Sequence, residues 1–184
     1  SPFLLQCFNV SKPVIDGNTF QDFNFNHVAG AYAYKATFYF VGCSDTLFIK
    51  YNKFIRCGTS RLVGDFDTNP TATTKLAHVE MFNNFITAVG QFRIGTSDLS
   101  AGVGVTQSMR YYFNNFYNIV STNGTSGFSF GAIGSSSFES GVSLCKNNIF
   151  ASKYTAIPYY RSAAYPANSN NNSFFTNGPT LVQA

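Results

Sequence analysis

The chain has 184 residues, 20.2 kDa and 45% hydrophobic side chains, which is one domain with enough apolar surface to fill a core and excludes a disordered polymer. Charged residues make up only 11% of it, with Glu80 and Glu139 as the two glutamates, so long solvent-facing helices are excluded for want of charged outer faces. The net charge of +4 is spread along the chain with no basic arm or stripe, so any RNA contact is expected to be diffuse.

What remains is a β protein rich in aromatic residues, with loops of Asn, Ser, Thr and Gly. In chain order, residues 2–8 form a leading strand. Residues 31–41 alternate at period two, with Tyr32, Tyr34, Ala36, Phe38 and Phe40 on one face. After a turn at 42–45, residues 46–55 alternate again, with Leu47, Ile49 and Tyr51 on one face and Phe48, Lys50 and Asn52 on the other. Two long strands joined by four turn residues predict an antiparallel hairpin. Residues 78–82 and 86–94 read as strands, and 102–106 as a weaker one. A second hairpin is predicted from 109–120 and 128–133, through the polar turn 121–127. About eight antiparallel strands in residues 1–135 suit an all-β jelly-roll sandwich. Residues 136–184 read as a C-terminal strand and extension, packing on the same subunit or a neighbouring one, within a single domain.

Cys7, Cys43, Cys57 and Cys145 form no CxxC pair and have no histidines at zinc spacing, so they are expected to be buried and reduced. No apolar run reaches bilayer length, and no membrane partner is expected. The start at Ser1 fits proteolytic release from a precursor. The sequons at Asn9, Asn123 and Asn171 are near the chance level for so Asn-rich a chain.

Catalytic chemistry finds little support. His27 and His78 sit at strand starts, as capping histidines do, no nucleotide or nucleophile motif is present, and neither catalytic residue nor cofactor is expected. Asp65 and Asp67 share one face of an extended segment and are the calcium candidates, with turn formation as the alternative. Lys50 and Arg56 fall on one predicted strand face, where they face either phosphates of RNA or solvent. Tyr159, Tyr160 and Arg161 suit stacking on a base or a partner chain, or packing of the extension.

A competing architecture comes from the triplet Asn-x-Phe, which begins at Asn18, Asn52, Asn83, Asn114, Asn148 and Asn172 with spacings of 34, 31, 31, 34 and 24. Composition alone accounts for about two such triplets. Stacked Asn and Phe ladders are what a right-handed parallel β-helix shows, and such helices usually bind or process polysaccharides. The ten-residue alternations of 31–41 and 46–55 favour the sandwich over short β-helix strands.

The order of motifs also resembles a known family. Asn26-His-Val-Ala-Gly-Ala-Tyr-Ala-Tyr-Lys-Ala-Thr-Phe-Tyr-Phe40 followed by Leu47-Phe-Ile-Lys-Tyr51 is similar to the C and D strands of picorna-like capsid proteins. Tyr111-Tyr-Phe with the turn and strand of 121–131 resembles the H–I hairpin of comovirus large coat proteins, and Pro158-Tyr-Tyr-Arg-Ser162 an aromatic-Arg-Ser motif of nepoviruses. The resemblance implies a structural coat protein of a plant secovirus, similar in size to the smallest coat protein of cheraviruses and released from a polyprotein. Such a subunit is not an enzyme. It assembles with other coat subunits into an icosahedral virion in the host cytoplasm and encloses genomic single-stranded RNA. Ser121, Asn123, Gly124, Tyr159, Tyr160 and Arg161 then belong to assembly or surface segments.

Overall fold

The computed structural model describes residues 4–25, 37–59, 62–66, 76–93, 96–98, 108–119, 130–132, 142–153, 159–161, 169–177 and 182–183. Its strands are short and follow one another as coils. The first coil holds β1 (Leu5–Phe8), β2 (Val14–Asp16), β3 (Thr19–Gln21) and β4 (Asn24–Phe25). The second holds β5 (Phe38–Val41), β6 (Asp45–Lys50) and β7 (Lys53–Thr59), and the third β8 (Val63–Phe66), β9 (Leu76–Phe82) and β10 (Phe85–Arg93). The fourth contains β11 (Thr96–Asp98), β12 (Ser108–Tyr112), β13 (Asn115–Asn118) and β14 (Phe130–Ala132). The fifth contains β15 (Val142–Lys146), β16 (Ile149–Ser152) and β17 (Tyr159–Arg161), and the sixth β18 (Ser169–Asn170), β19 (Ser173–Phe175) and β20 (Val182–Gln183).

Strands of the same place in successive coils pair to give three sheets. The first runs β1-β5-β8-β11 and the second β2-β6-β9-β12-β15-β18. The third contains β3 and β4 on β7, then β10, β13, β16 and β19, with β14, β17 and β20 continuing from the far end of β10. Every pairing among the described strands is parallel. The architecture is a parallel β-helix, and the predicted antiparallel jelly roll is corrected. Residues from 142 onward supply the fifth and sixth coils of the same stack.

The physical reason lies in single residues with positive φ. In the predicted strand 46–55, Tyr51 has φ +55°, which turns the chain out of the second sheet and into the third. That one left-handed residue shifts the alternation: Leu47, Ile49, Asn52 and Phe54 point inward, while Tyr51 points out. Phe113, at φ +56°, breaks the predicted strand 109–120 in the same way. Gly42 and Asp45, at φ +61° and +68°, place β5 and β6 in different sheets, so no hairpin joins them. β14 pairs with β10 and β17 rather than folding back on β13. The turn 121–127 lies outside the described residues. The capsid resemblance rested on these two hairpins and loses that geometric basis.

The core is a set of stacks along the helix axis. Phe20, Phe54, Ile86, Phe116, Phe150 and Phe174 stand in register, one per coil. Phe20 lies 5.0 Å from Phe54, Phe116 lies 4.8 Å from Phe150 at 1°, and Phe150 lies 5.3 Å from Phe174. Ile15, Ile49, Met81, Tyr111 and Cys145 form a second buried stack inside the second sheet.

The corner between the second and third sheets is held by an asparagine ladder: Asn18, Asn52, Asn84, Asn114, Asn148 and Asn172. The backbone N–H and side-chain Nδ2 of each of the first five donate to Oδ1 of the next, at 2.9–3.2 Å. Nδ2 also reaches back to a carbonyl of the preceding coil: Asn52 to Ile15, Asn84 to Ile49, Asn114 to Met81, Asn148 to Tyr111 and Asn172 to Cys145. The polar corner is therefore satisfied internally, as a buried amide must be. Five of the six Asn-x-Phe asparagines are ladder members. Asn83 is not: it occupies the left-handed corner at φ +54°, and its neighbour Asn84 enters the ladder. The triplet counted at Asn83 thus sits one residue out of frame, with Phe85 outside and Ile86 in the stack.

Candidate functional site

The residue before each ladder asparagine adopts the left-handed conformation, and all but the half-buried Asn147 are exposed. In coil order these are Gly17, Tyr51, Asn83, Phe113, Asn147 and Asn171. Gly and Asn are the residues that adopt this conformation at least cost; a bulky aromatic there is a genuine outlier. Tyr51 and Phe113 are such outliers, and both rings are exposed, at 56% and 54%.

Beside them, on the outer face of the second sheet, Phe82 and Tyr112 occupy the position two residues before the ladder. Phe82 stacks on Tyr112 at 5.0 Å and 3°. Tyr51 meets Phe82 edge-on at 6.0 Å, and Tyr112 meets Phe113 edge-on at 5.9 Å. The four rings form a continuous strip over the second, third and fourth coils. Just past the corner, Phe85 adds a further exposed ring on the third sheet.

Polar groups border the strip. Glu80 accepts from Arg110 Nη1 at 3.1 Å and from the Tyr112 hydroxyl at 2.8 Å, one bond on each carboxylate oxygen. Burial, and then the hydrogen bond to Glu80, pushes the Tyr112 phenol well above its ordinary pKa, so it stays a protonated donor in neutral solution. Lys50 bridges to Asp16 at 3.1 Å, with its Nζ 5.8 Å from the Tyr51 ring. An exposed aromatic strip edged by donors and acceptors suits a ligand with apolar surface and a polar periphery.

Among the described residues, no pair of carboxyl groups beside the strip stands at hydrolytic spacing. Glycosidases place two carboxyl groups about 5 to 9.5 Å apart. Glu80 is engaged on both oxygens, and the Asp16 backbone lies two coils and two strand positions from that of Glu80, roughly 12 Å by strand geometry. Among the described residues, no group of three or more His, Cys, Asp or Glu is placed to hold a metal ion.

The sequence candidates fall elsewhere. Lys50 ends β6 and Arg56 lies in β7, so the two stand in different sheets and share no face. Arg56 makes a bidentate pair with Asp22 of the coil before it, both contacts at 2.6 Å, and the hydrogen bond from Arg56 holds the Asp22 carboxyl below its usual range. Asp65 lies in β8, in register with Phe40 and Asp98, while Asp67 is outside the described residues. Tyr159, Tyr160 and Arg161 form β17 between β14 and β20. Ser121, Asn123 and Gly124 lie outside the described residues, as does His27, while His78 is part of β9.

Tyr51, Phe82, Tyr112 and Phe113 escaped the sequence reading. The signal was present: Tyr51 and Phe113 each directly precede a repeat asparagine, the position a tight corner turns outward. No family model, curated protein or solved structure matches this chain.

Proposed function

We propose that this protein binds an extended polysaccharide along the corner between its second and third sheets, and that it binds without cleaving. The observation that carries this is the pair of exposed aromatic residues, Tyr51 and Phe113, held in left-handed backbone. Every coil turns this corner in left-handed backbone, but coils two and four place an aromatic ring there, at about 1–2 kcal/mol per residue. Gly or Asn turns the other coils at less cost, and both rings fall on one exposed strip.

The coils advance about 4.8 Å each. That rise is close to the length of one pyranose ring in an extended glycan, so a polymer lying along the helix axis meets a new coil with each sugar. Tyr51 and Phe113 present exposed rings to the sugars at coils two and four, and the outward edges of the stacked pair Phe82 and Tyr112 continue the apolar strip between them. Arg110 and the borders of the strip offer hydrogen bonds to hydroxyl groups. A stiff ladder beneath the strip holds the rings in place before the ligand arrives, which limits the ordering entropy lost on binding. The coat subunits and RNA expected as partners belonged to the capsid resemblance and are not carried forward.

Affinity electrophoresis against soluble neutral and acidic polysaccharides, with single-stranded RNA as a separate arm, tests the reading. Retardation by at least one glycan is expected. Tyr51→Gly/Phe113→Gly removes two rings and relieves two strained residues, so glycan affinity is expected to fall at least tenfold, or about 1.4 kcal/mol, while unfolding stability changes by no more than about 1 kcal/mol. Retardation by RNA alone, or glycan binding untouched by the double substitution, would overturn the proposal.

A further inference from the structure

Away from the aromatic strip, at the corner between the first and second sheets, two thiols from neighbouring coils meet. Cys7 lies in β1 and is half-buried; Cys43 is fully buried in the turn between β5 and β6. Their sulfurs are 3.8 Å apart, and the Cys43 Sγ also lies 3.6 Å from the Cys7 carbonyl oxygen. Cys57 and Cys145 are buried as well, the Cys57 sulfur against the Phe20 and Ile55 carbonyls and the Cys145 sulfur against Asn148 Nδ2.

We infer that Cys7 and Cys43 form a reversible disulfide that staples the first coil to the second. The inference is independent of glycan binding, because it concerns the opposite corner of the second sheet. The sulfurs have to close from 3.8 Å to a bond length of about 2.05 Å, and parallel pairing of β1 to β5 holds Cys7 beside the chain that leads into Cys43. The oxidant is a small-molecule disulfide such as oxidised glutathione. The Cys7 thiolate attacks one of its sulfurs and releases one thiol. Cys43 then loses its proton and attacks the Cys7 sulfur of the mixed disulfide, releasing the second. Two protein thiols and one small disulfide thus become one protein disulfide and two small thiols.

Cys7 is the entry point because Cys43 is out of solvent. Burial, and then the neighbouring Cys43, pushes the Cys7 thiol up to about 11. Its thiolate is therefore scarce at neutral pH, and oxidation is slow. The charged groups on that corner, Lys12 and Asp45, pair with each other at 3.5 Å and are solvent-exposed.

Incubation of the intact chain with oxidised glutathione, followed by thiol titration in denaturant and non-reducing peptide mapping, provides the test. The free thiols are expected to fall from four to two, with a single cross-linked peptide pair containing Cys7 and Cys43. The rate should rise about tenfold per pH unit below 11. Melting should move up by roughly 5–10 °C on oxidation and return with a reductant. Cys43→Ser should stop the reaction at glutathione on Cys7. Four titratable thiols after prolonged oxidation, or cross-links that include Cys57 or Cys145, would overturn the inference, and both are read on the native chain whether or not the variant folds.

Discussion

Asn84→Ala is expected to lower the unfolding free energy by about 3–5 kcal/mol, and Asn83→Ala by only about 1 kcal/mol. The two asparagines are adjacent, and both lie between Phe82 and Phe85. Their environments differ completely. Asn84 is 1% exposed; its Oδ1 accepts from the backbone and side chain of Asn52, and its own Nδ2 donates to Ile49 O at 2.8 Å and to Asn114 Oδ1 at 2.9 Å. Truncation leaves the buried Asn52 N–H without an acceptor and the Ile49 carbonyl without this donor, each orphan contributing about 1–3 kcal/mol. Asn83 is exposed and contributes mainly its tolerance of positive φ.

Asn84→Asp sharpens the test. The carboxylate keeps the shape and the acceptor but faces Ile49 O, Phe82 O and Asn114 Oδ1 with no hydrogen to give. Burial and these acceptors raise its folded pKa above the unfolded value, so the folded chain binds the proton more tightly and the loss of stability shrinks as pH falls through the folded pKa. Urea unfolding of the three variants, with the pH series on Asn84→Asp, measures all of this.

The second large effect is expected at Phe116. Phe116→Ala removes a ring that is 1% exposed and stacked 4.8 Å from Phe150, which amounts to about 3–5 kcal/mol in transfer and cavity terms. Phe85→Ala, at a residue 46% exposed, changes stability by about 0.5 kcal/mol or less. Both phenylalanines close an Asn-x-Phe triplet, yet only one enters the stack. Equal losses at the two positions, read from denaturant midpoints at constant m-value, would contradict the register of the third coil.

These contrasts show what could be read from sequence. Asn and Phe recur once per coil because the corner and the stack recur, so the ladder at Asn18, Asn52, Asn114, Asn148 and Asn172 was visible as a repeat. Asn83 and Asn84 offered two frames to the same triplet, and only tertiary hydrogen bonding decides between them. Period-two alternation signals a strand with unlike faces but is silent on its neighbour's direction, so the same pattern admitted hairpins. The corners were the deeper difficulty. A left-handed Tyr51 or Phe113 runs against backbone preference, so propensity favoured one long strand where the chain turns between sheets. Those two departures are also where the candidate site lies, and local rules are expected to fail at sites of this kind.

The aromatic strip depends on the stack beneath it. Tyr51, Phe82, Tyr112 and Phe113 lie together only because coils two to four advance in parallel register. An antiparallel sandwich would separate them, and with them the proposed glycan surface.

The direct measurement is therefore a distance series along one outward row of the third sheet. Thr19, Lys53, Asn115 and Ser173 are all exposed and sit one residue after the ladder, in coils one, two, four and six. Nitroxides carried on genetically encoded residues leave the native thiols alone. Pulsed dipolar spectroscopy should give separations from Ser173 of about 24 Å to position 19 and about 19 Å to position 53, with a shorter one of about 10 Å to position 115 by line broadening, in steps of about 4.8 Å per coil. Separations that do not grow with coil number would contradict the parallel β-helix and, with it, the aromatic corner.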